Sequence, residues 1–223
     1  MIVVHHLNNS RSQRVLWLLE ELGLDYEVRP YTREGGAGSA PQSLRAVHAL
    51  GKAPVIEDGE VVLAESGAII EYLLLRHGSA GLVPEVGSAA HTRYLYWLHY
   101  AEGSAMPNLL LKLIFDQIER GPAPFFVRPV VRGLARAVKN ALVDPQVTLH
   151  LDFMEAVLEG CDWFAGPDFS AADIQMSFPI EAAVAKAGLD ETRPRLMAFL
   201  RRIHARPAWA RAVAKGGPYD LSA

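Results

Sequence analysis

The sequence predicts two regions of different fold class: an α/β domain at the N-terminus and an all-α domain after it. Over residues 1–77, short apolar runs typical of strands alternate with helical patterns in the order βαβαββα. The chain then becomes rich in Gly, Ser, Pro and Glu, and after residue 88 only helical patterns remain. We therefore expect one domain at 1–78, a linker at 79–88 and a helical domain at 89–223.

The first three elements form a βαβ unit. The β-branched run at 2–4 predicts a buried strand, and the cap-type residues at 8–10 precede a helical pattern. Apolar residues repeat with helical spacing up to residue 22, and Gly23 is typical of a helix end. A second strand is predicted from residue 26 to Pro30. Such a unit favours a parallel, right-handed arrangement of its strands.

A loop and a short helix come next. Residues 33–43 are rich in Gly, Ser and Pro and predict a loop, and a short helix is expected at 44–49. The segment GKAPVIEDGEVVLAES at 51–66 then predicts a hairpin that starts after Pro54 and turns at Asp58-Gly59. Ser66 opens an amphipathic helix that is expected to end near residue 76.

The second half contains only helical patterns. A helix with an apolar face is expected after the linker, and Asp144 before Pro145 predicts a helix N-cap. Ser170 and Asp173 have the spacing of a capping box. Further helices are predicted at 125–142, 145–160, 171–187, 192–205 and 207–214.

Composition is that of an ordinary globular protein, with 50% hydrophobic and 21% charged residues. A net charge of −3 gives no reason to expect nucleic acid or an anionic membrane as a partner. One cysteine cannot form an internal disulfide, and we find neither a signal-peptide pattern nor an apolar run of membrane-spanning length. The eight histidines show no metal-ligand spacing. We therefore expect a cytoplasmic protein without a metal.

Four motifs in order resemble the cytosolic glutathione transferases. They are SRSQRVLWLLEELGLDYEV at 10–28, GKAPVI at 51–56, ESGAIIEYL at 65–73 and FSAADI at 169–174. Each motif alone is weak, but the set is specific and spans nearly the whole chain. The resemblance implies a thioredoxin-like N-terminal domain that binds glutathione as co-substrate, a helical substrate-binding domain and a homodimer.

The same resemblance implies a glutathione site in the segment 51–66. A cis Pro54 would leave the backbone of Ala53 free to pair with the cysteinyl part of glutathione. Glu65 and Ser66 would hold the charged end of the γ-glutamyl group. Lys52 would reach the glycyl carboxylate and His48 would assist, with a solvated surface side chain as the alternative for each. Taken alone, Pro54 also fits an ordinary edge-strand proline, and Glu65-Ser66 fits a plain helix cap.

The group that activates the thiol is expected at the start of the first helix. A thiolate needs hydrogen bonds to sulfur and nearby positive potential. Serine-type relatives carry their catalyst five residues before the arginine that matches Arg14, where this chain has Asn9 with Ser10 next to it. We expect Ser10 or Asn9 to donate to sulfur and Arg11 to add positive charge, with simple helix capping as the alternative.

Three functions remain open from the sequence. The first is conjugation of glutathione to an apolar electrophile. The second is glutathione-dependent reduction of disulfides or peroxides, which some relatives with asparagine at this position favour. The third is binding without catalysis. By a looser resemblance, Glu102 would touch the γ-glutamyl ammonium from a partner subunit.

Overall fold

The computed structural model describes residues 1–33 and 41–221 of the chain. Its first part has the predicted order βαβαββα. The strands are β1 (Ile2–Leu7), β2 (Tyr26–Tyr31), β3 (Val55–Asp58) and β4 (Val61–Ala64), and the helices are α1 (Ser12–Leu22), α2 (Gln42–Val47) and α3 (Ser66–His77). Most of the loop expected at 33–43 falls on residues 34–40, which lie outside the described part of the chain.

The sheet has the strand order β2-β1-β3-β4. Strand β1 pairs parallel to β2 and antiparallel to β3, and every residue of β1 is buried. The prediction that the second strand ends at Pro30 is wrong, because β2 continues to Tyr31. Proline is tolerated there because β2 is an edge strand, so the missing N–H removes no ladder hydrogen bond.

The hairpin of β3 and β4 is present, but its turn lies one residue later than predicted. Asp58 still pairs with Val61, so Gly59 and Glu60 form the turn. Gly59 has a φ of +62°, a region in which glycine is favoured. The Asp58 carboxylate accepts from His77 Nε2 at 2.8 Å and from the Tyr72 hydroxyl at 3.1 Å, and these contacts hold Asp58 in the strand.

The second part is helical, as predicted. Its helices are α4 (Ala89–Tyr100), α5 (Met106–Arg120), α6 (Arg128–Val138), α7 (Asp144–Val157), α8 (Ala171–Ala187), α9 (Pro194–His204) and α10 (Pro207–Gly216). Helix α5 is not among the predicted elements, because Pro107 is typical of a break in a helical pattern. The residues between α3 and α4 form turns and irregular backbone, and the domain boundaries themselves stay a prediction.

Two short π-helical segments make longer continuous helices. Ala101–Ala105 joins α4 to α5, and Lys139–Val143 joins α6 to α7. A proline follows each segment two residues later, at Pro107 and Pro145. Proline has no N–H for the usual bond to the fourth preceding carbonyl, and the wider π pattern accommodates that gap. The prediction that Asp144 caps a helix is therefore wrong: its φ and ψ of −65° and −39° are helical.

Helix α8 joins the two parts of the molecule. It packs against α1, α4 and α5, and all of its first ten residues are buried. The predicted capping box is confirmed, with the Asp173 carboxylate accepting from the N–H groups of Ser170 at 2.8 Å and Phe164 at 2.9 Å. Across residues 1–33 and 41–221, no helix has both the length and the apolarity needed to cross a membrane.

Candidate functional site

A polar cavity of about 260 Å³ lies where β3 and α3 begin. Glu65 has a φ of +72°, which is strained for a residue with a side chain, and its exposed carboxylate stands at the start of α3. Ser66 is buried, and its Oγ accepts from Arg14 Nη2 at 2.9 Å and Gln175 Nε2 at 3.4 Å. Because Ser66 Oγ accepts both of these bonds, its own hydroxyl proton stays available to donate to an anion.

The other predicted glutathione contacts line the same cavity. The peptide bond between Ala53 and Pro54 is cis, and Ala53 lies just before the first ladder residue of β3. Lys52 is exposed, whereas His48 is half-buried. The His48 Nδ1 is shielded from solvent and has no hydrogen-bond partner among the described residues. The structure thus brings all six residues predicted from the segment 48–66 to one cavity.

An ion cluster of buried Arg14 with the half-buried side chains of Arg11 and Glu102 forms one wall of this cavity. Arg14 is 1% exposed, and it donates to the Gln175 carbonyl at 2.7 Å and to Glu102 Oε1 at 2.5 Å. Arg11 Nε lies 2.9 Å from both oxygens of the Glu102 carboxylate. Two guanidinium groups thus meet one carboxylate, which leaves the cluster with a net positive charge.

Glu102 is ionised within this cluster. Burial alone would raise the pKa of Glu102, but the charges of Arg14 and Arg11 outweigh burial, and the pKa is lowered overall. Glu102 lies in the π-helical segment between α4 and α5 and faces the cavity of its own chain. Its predicted contact across a subunit interface stays a prediction.

Arg14 and Gln175 are site residues that the sequence analysis missed. Arg14 lies one helical turn before Leu18, at the edge of the apolar face of α1. An arginine in such a place requires buried partners, because an unpaired charge in a core is costly. The need for buried partners could therefore have identified Arg14 from the sequence. No comparable signal exists for Gln175, which reaches the site only through the packing of α8 on α1.

Asn9 stands at the turn between β1 and α1 with a φ of +50°. Its Oδ1 accepts the backbone N–H of Asp220 at 2.8 Å, and its carbonyl accepts from Arg33 Nη2 at 3.2 Å. Its Nδ2 has no hydrogen-bond partner in the described part of the chain. Asn9 lines two further cavities beside the polar one. Its side chain does not cap α1.

Ser10 has a different environment from Asn9. Its side chain is buried, and its Oγ accepts the Ser12 N–H at 3.2 Å and lies 2.8 Å from the Ser12 Oγ. Ser12 Oγ in turn lies 2.9 Å from His6 Nδ1. Burial lowers the pKa of His6, although a hydrogen bond from the His6 ring to the Gly216 backbone opposes the shift. The Ser10 hydroxyl is therefore engaged by Ser12, but Ser10 is not the N-cap of α1: that position is Arg11, and no side chain of the described residues caps it.

The two cavities that Asn9 lines differ in character. One, of about 380 Å³, is bordered by the cationic side chains of Arg11, Arg33, Arg45 and Lys52. The other, of about 530 Å³, is bordered by apolar side chains, which are Met106, Leu109, Leu110, Leu113, Phe178 and Ala182. Arg11 borders both and also the polar cavity, with its guanidinium 5.1 Å from the centre of the Phe178 ring. One continuous cleft thus runs from a polar end to an apolar end, with Asn9 and Arg11 between them.

No group of three metal-binding side chains occurs in the portion of the chain that the structure describes. The arrangement instead offers donors and positive charge around a polar cavity, next to an apolar one. A bound thiol at the junction would meet the Asn9 amide and the Arg11 charge. Both interactions favour the thiolate over the thiol.

Comparisons with known proteins all identify the same family. A family model for the glutathione S-transferase N-terminal domain matches residues 1–74, and one for the C-terminal domain matches residues 133–207. Glutathione S-transferase 3 of Schizosaccharomyces pombe is 35% identical over 96% of this chain and 88% of its own length.

Solved structures agree with the sequence matches. The crystal structure of a glutathione S-transferase from Actinobacillus pleuropneumoniae has a TM-score of 0.81 and 36% identity, covering 100% of this chain and 96% of that one. A sphingomonad glutathione S-transferase, solved in complex with glutathione, has a TM-score of 0.72 and 25% identity, covering 96% and 98%. The chain belongs to the glutathione S-transferase family.

Proposed function

We propose that this protein is a glutathione transferase that conjugates the thiolate of glutathione to apolar electrophiles. The proposal rests on the position of Asn9, which lines both the cationic cavity and the apolar one and whose Nδ2 has no hydrogen-bond partner among the described residues. The polar end suits glutathione and the apolar end suits an uncharged electrophile. The family's activity and the glutathione bound in the sphingomonad relative support the same proposal.

Glutathione would lie along the segment 48–66. Its α-carboxylate would accept from the Ser66 hydroxyl and the N-terminal amides of α3, and its ammonium would face the Glu65 carboxylate. The backbone of Ala53 would pair with the cysteinyl residue. Lys52 and His48 would face the glycyl carboxylate. This orientation puts the cysteinyl sulfur toward Asn9 and Arg11.

The reaction then needs an ionised sulfur. A free thiol has a pKa of about 8.5, so only a few per cent is thiolate at neutral pH. A hydrogen bond from Asn9 Nδ2 and the charge of Arg11 would lower that pKa, and the proton would leave to solvent. The thiolate would attack the electrophilic carbon, form the carbon–sulfur bond and expel the leaving group with its electron pair.

The test is turnover of a generic aromatic halide with glutathione by wild-type, Asn9→Ala and Ser10→Ala proteins. We expect Asn9→Ala to lower kcat/KM at neutral pH by about 100-fold, as for other lost donors to a developing anion. Ser10→Ala should retain most activity, because its hydroxyl is engaged by Ser12. Full activity in both variants would refute the thiol assignment. No turnover by the wild type would favour binding without catalysis.

A second candidate is reduction of glutathionyl mixed disulfides, and the cationic cavity favours it. Arg45 and Lys52 border this cavity, and no acidic residue is among the described residues that line it. Such a site suits the carboxylates of a second glutathionyl group. The glutathione thiolate would attack the disulfide, form glutathione disulfide and release the other thiolate. Arg45→Ala should then slow disulfide reduction, or glutathione-dependent peroxide reduction, and leave turnover of the aromatic halide unchanged.

We also propose that the protein is a cytoplasmic homodimer with a role in detoxification. The single cysteine fits a reducing compartment, and large apolar side chains such as Leu50, Val62 and Tyr96 are about half exposed or more. Burying this surface would favour association of two copies. Sedimentation equilibrium tests the dimer, and a monomer at all concentrations would contradict it. If a dimer forms, Glu102→Gln measured in mixed dimers tests the predicted contact across the interface.

A further inference from the structure

The last described residues, 217–221, run back from the helical part to the thiol end of the cleft. We call them the tail. Helix α10 ends at Gly216, where an added Cβ would lie 2.7 Å from Leu16 Cδ1 and 3.0 Å from Gln13 Oε1 of α1. Gly217 has a φ of +84°, which lets the chain turn. The two glycines therefore allow α10 to pack closely on α1 and direct the tail toward Asn9.

One backbone hydrogen bond determines how the Asn9 carboxamide is oriented. The Asp220 N–H donates to the Asn9 side chain at 2.8 Å. Because an N–H only donates, the accepting atom must be Oδ1. The other end of the same planar amide, Nδ2, then points away from the tail. Asp220 and Leu221 also line the apolar cavity beside Asn9.

The tail is anchored by Tyr219. Its hydroxyl donates to Glu181 Oε2 at 2.6 Å, and its ring meets Trp209 edge-on at 5.8 Å between centroids. Glu181 belongs to α8, is 9% exposed, and receives a second bond from His204 Nε2 at 2.8 Å. Burial, together with the Glu181 charge, raises the pKa of Tyr219, so the phenol stays a donor. A residue next to Asp220 is therefore held in place by two helices.

We propose that the tail is a positioning element for the thiol-activating residue. Tyr219 anchors the tail, the Asp220 N–H holds Asn9 Oδ1, and Nδ2 is thereby directed to the glutathione sulfur. This inference rests on the proposed role of Asn9. Without the Asp220 bond, the Asn9 amide is free to turn, and a turned amide presents oxygen to the sulfur. Oxygen would repel the thiolate that nitrogen stabilises.

The test removes the single N–H and keeps the rest of the chain. Asp220→Pro deletes the donor, whereas Asp220→Ala keeps it and deletes only the side chain. The readout is the ultraviolet titration of glutathione thiolate in the binary complex, together with kcat and KM. We expect Asp220→Pro to lower the thiolate fraction and kcat at neutral pH by about tenfold relative to Asp220→Ala, with KM for glutathione nearly unchanged.

A second pair of variants tests the anchor. Tyr219→Phe removes the hydroxyl that bonds Glu181, and it should lower the thiolate fraction several-fold in the same titration. Tyr72→Phe is the matched control, because the Tyr72 hydroxyl also donates to a carboxylate, Asp58 Oδ2 at 3.1 Å, in the contact between α3 and β3. Tyr72→Phe should leave the titration unchanged. Equal changes in the thiolate fraction in Tyr219→Phe and Tyr72→Phe would refute the role of Tyr219 as anchor.

Measurements in an Asn9→Ala background separate the two proposals. If Asn9→Ala leaves the thiol pKa unchanged, the proposed role of Asn9 fails. The second outcome is that Asn9→Ala raises the thiol pKa, but the glutathione thiol titrates at the same pH in Asp220→Pro and Asp220→Ala. In that case only the positioning role of the tail fails. Both proposals are supported if Asp220→Pro does not change the thiol pKa further in a protein that already carries Asn9→Ala.

Discussion

The two ends of the glutathione cleft differ in how far apart their residues lie along the chain. At the γ-glutamyl end, the residues predicted to touch the ligand come from one segment, 48–66, and line one cavity. At the thiol end, Asn9 depends on Asp220, which lies 211 residues away. In the proposed roles, the residues that bind glutathione are close together in the sequence, whereas the orientation of the thiol donor depends on a residue far along the chain.

Arg14 connects the two ends, and its removal should have the largest effect. Arg14→Met leaves the Glu102 carboxylate with only Arg11 and deprives Ser66 of a donor. Because Glu102 is about a third exposed and keeps Arg11, the cost is that of lost charge-assisted and buried hydrogen bonds, about 1–3 kcal/mol. We expect the free energy of unfolding in urea to fall by about that amount. Arg29→Met is the control: its pair with Glu27 is about half exposed and should cost less than about 1 kcal/mol. Similar losses for both would contradict the ion-cluster interpretation.

Glu65→Gln tests whether the γ-glutamyl end acts in binding alone. Loss of the charge facing the ligand ammonium should raise the Kd for glutathione about tenfold, because charge-assisted hydrogen bonds contribute about 1.5–3 kcal/mol. The pKa of the bound thiol should not change. Calorimetric titration measures the first quantity and ultraviolet titration the second. Glu60→Gln, in the exposed hairpin turn, is the control. A changed thiol pKa in Glu65→Gln would remove the distinction between the two ends.

Ser10→Ala distinguishes the role of Ser10 from that of Asn9 at the thiol end. Loss of the bond to the Ser12 N–H should lower the free energy of unfolding by about 1 kcal/mol, as for other lost buried hydrogen bonds. Asn9→Ala should show the opposite pattern, with a large effect on the thiol and a small effect on stability. Urea unfolding of both variants measures this. If Ser10→Ala instead raises the thiol pKa, Ser10 and not Asn9 is the donor.

The smallest expected effect is the pH dependence of the free energy of unfolding that His6 contributes. Burial lowers the pKa of His6 in the folded protein, whereas an unfolded histidine titrates near 6.5. The unfolded chain therefore binds more protons between these two values, and stability must fall as the pH drops below about 6.5. The free energy of unfolding should decline between about pH 7.5 and 5.5, by less in His6→Gln. Parallel profiles for the two proteins would contradict this expectation.

Local sequence patterns were enough to predict the fold and the cavity residues at the γ-glutamyl end of the candidate site. Alternation of strand runs and helical faces predicts the order βαβαββα, and Ser170-Asp173 predicts the start of α8. The failures lie where packing changes a local rule. Pro30 stays within a strand because β2 is at the sheet edge, and Asp144 lies inside a helix because a π-helical segment carries the chain past Pro145.

Sequence alone determined the family, the two fold classes and the residues that line the polar cavity, because strand runs, turns and helix starts depend on neighbours within a few residues. Tertiary structure gives Asn9 and Ser10 different surroundings, and the proposal that Asn9 is the thiol donor rests on that difference. Both are polar residues at one turn, and only their partners differ: Ser12 holds the Ser10 hydroxyl, and the Asp220 N–H leaves Asn9 Nδ2 unpaired within the described residues. That distinction rests on a contact made by the other end of the chain, which no local pattern contains.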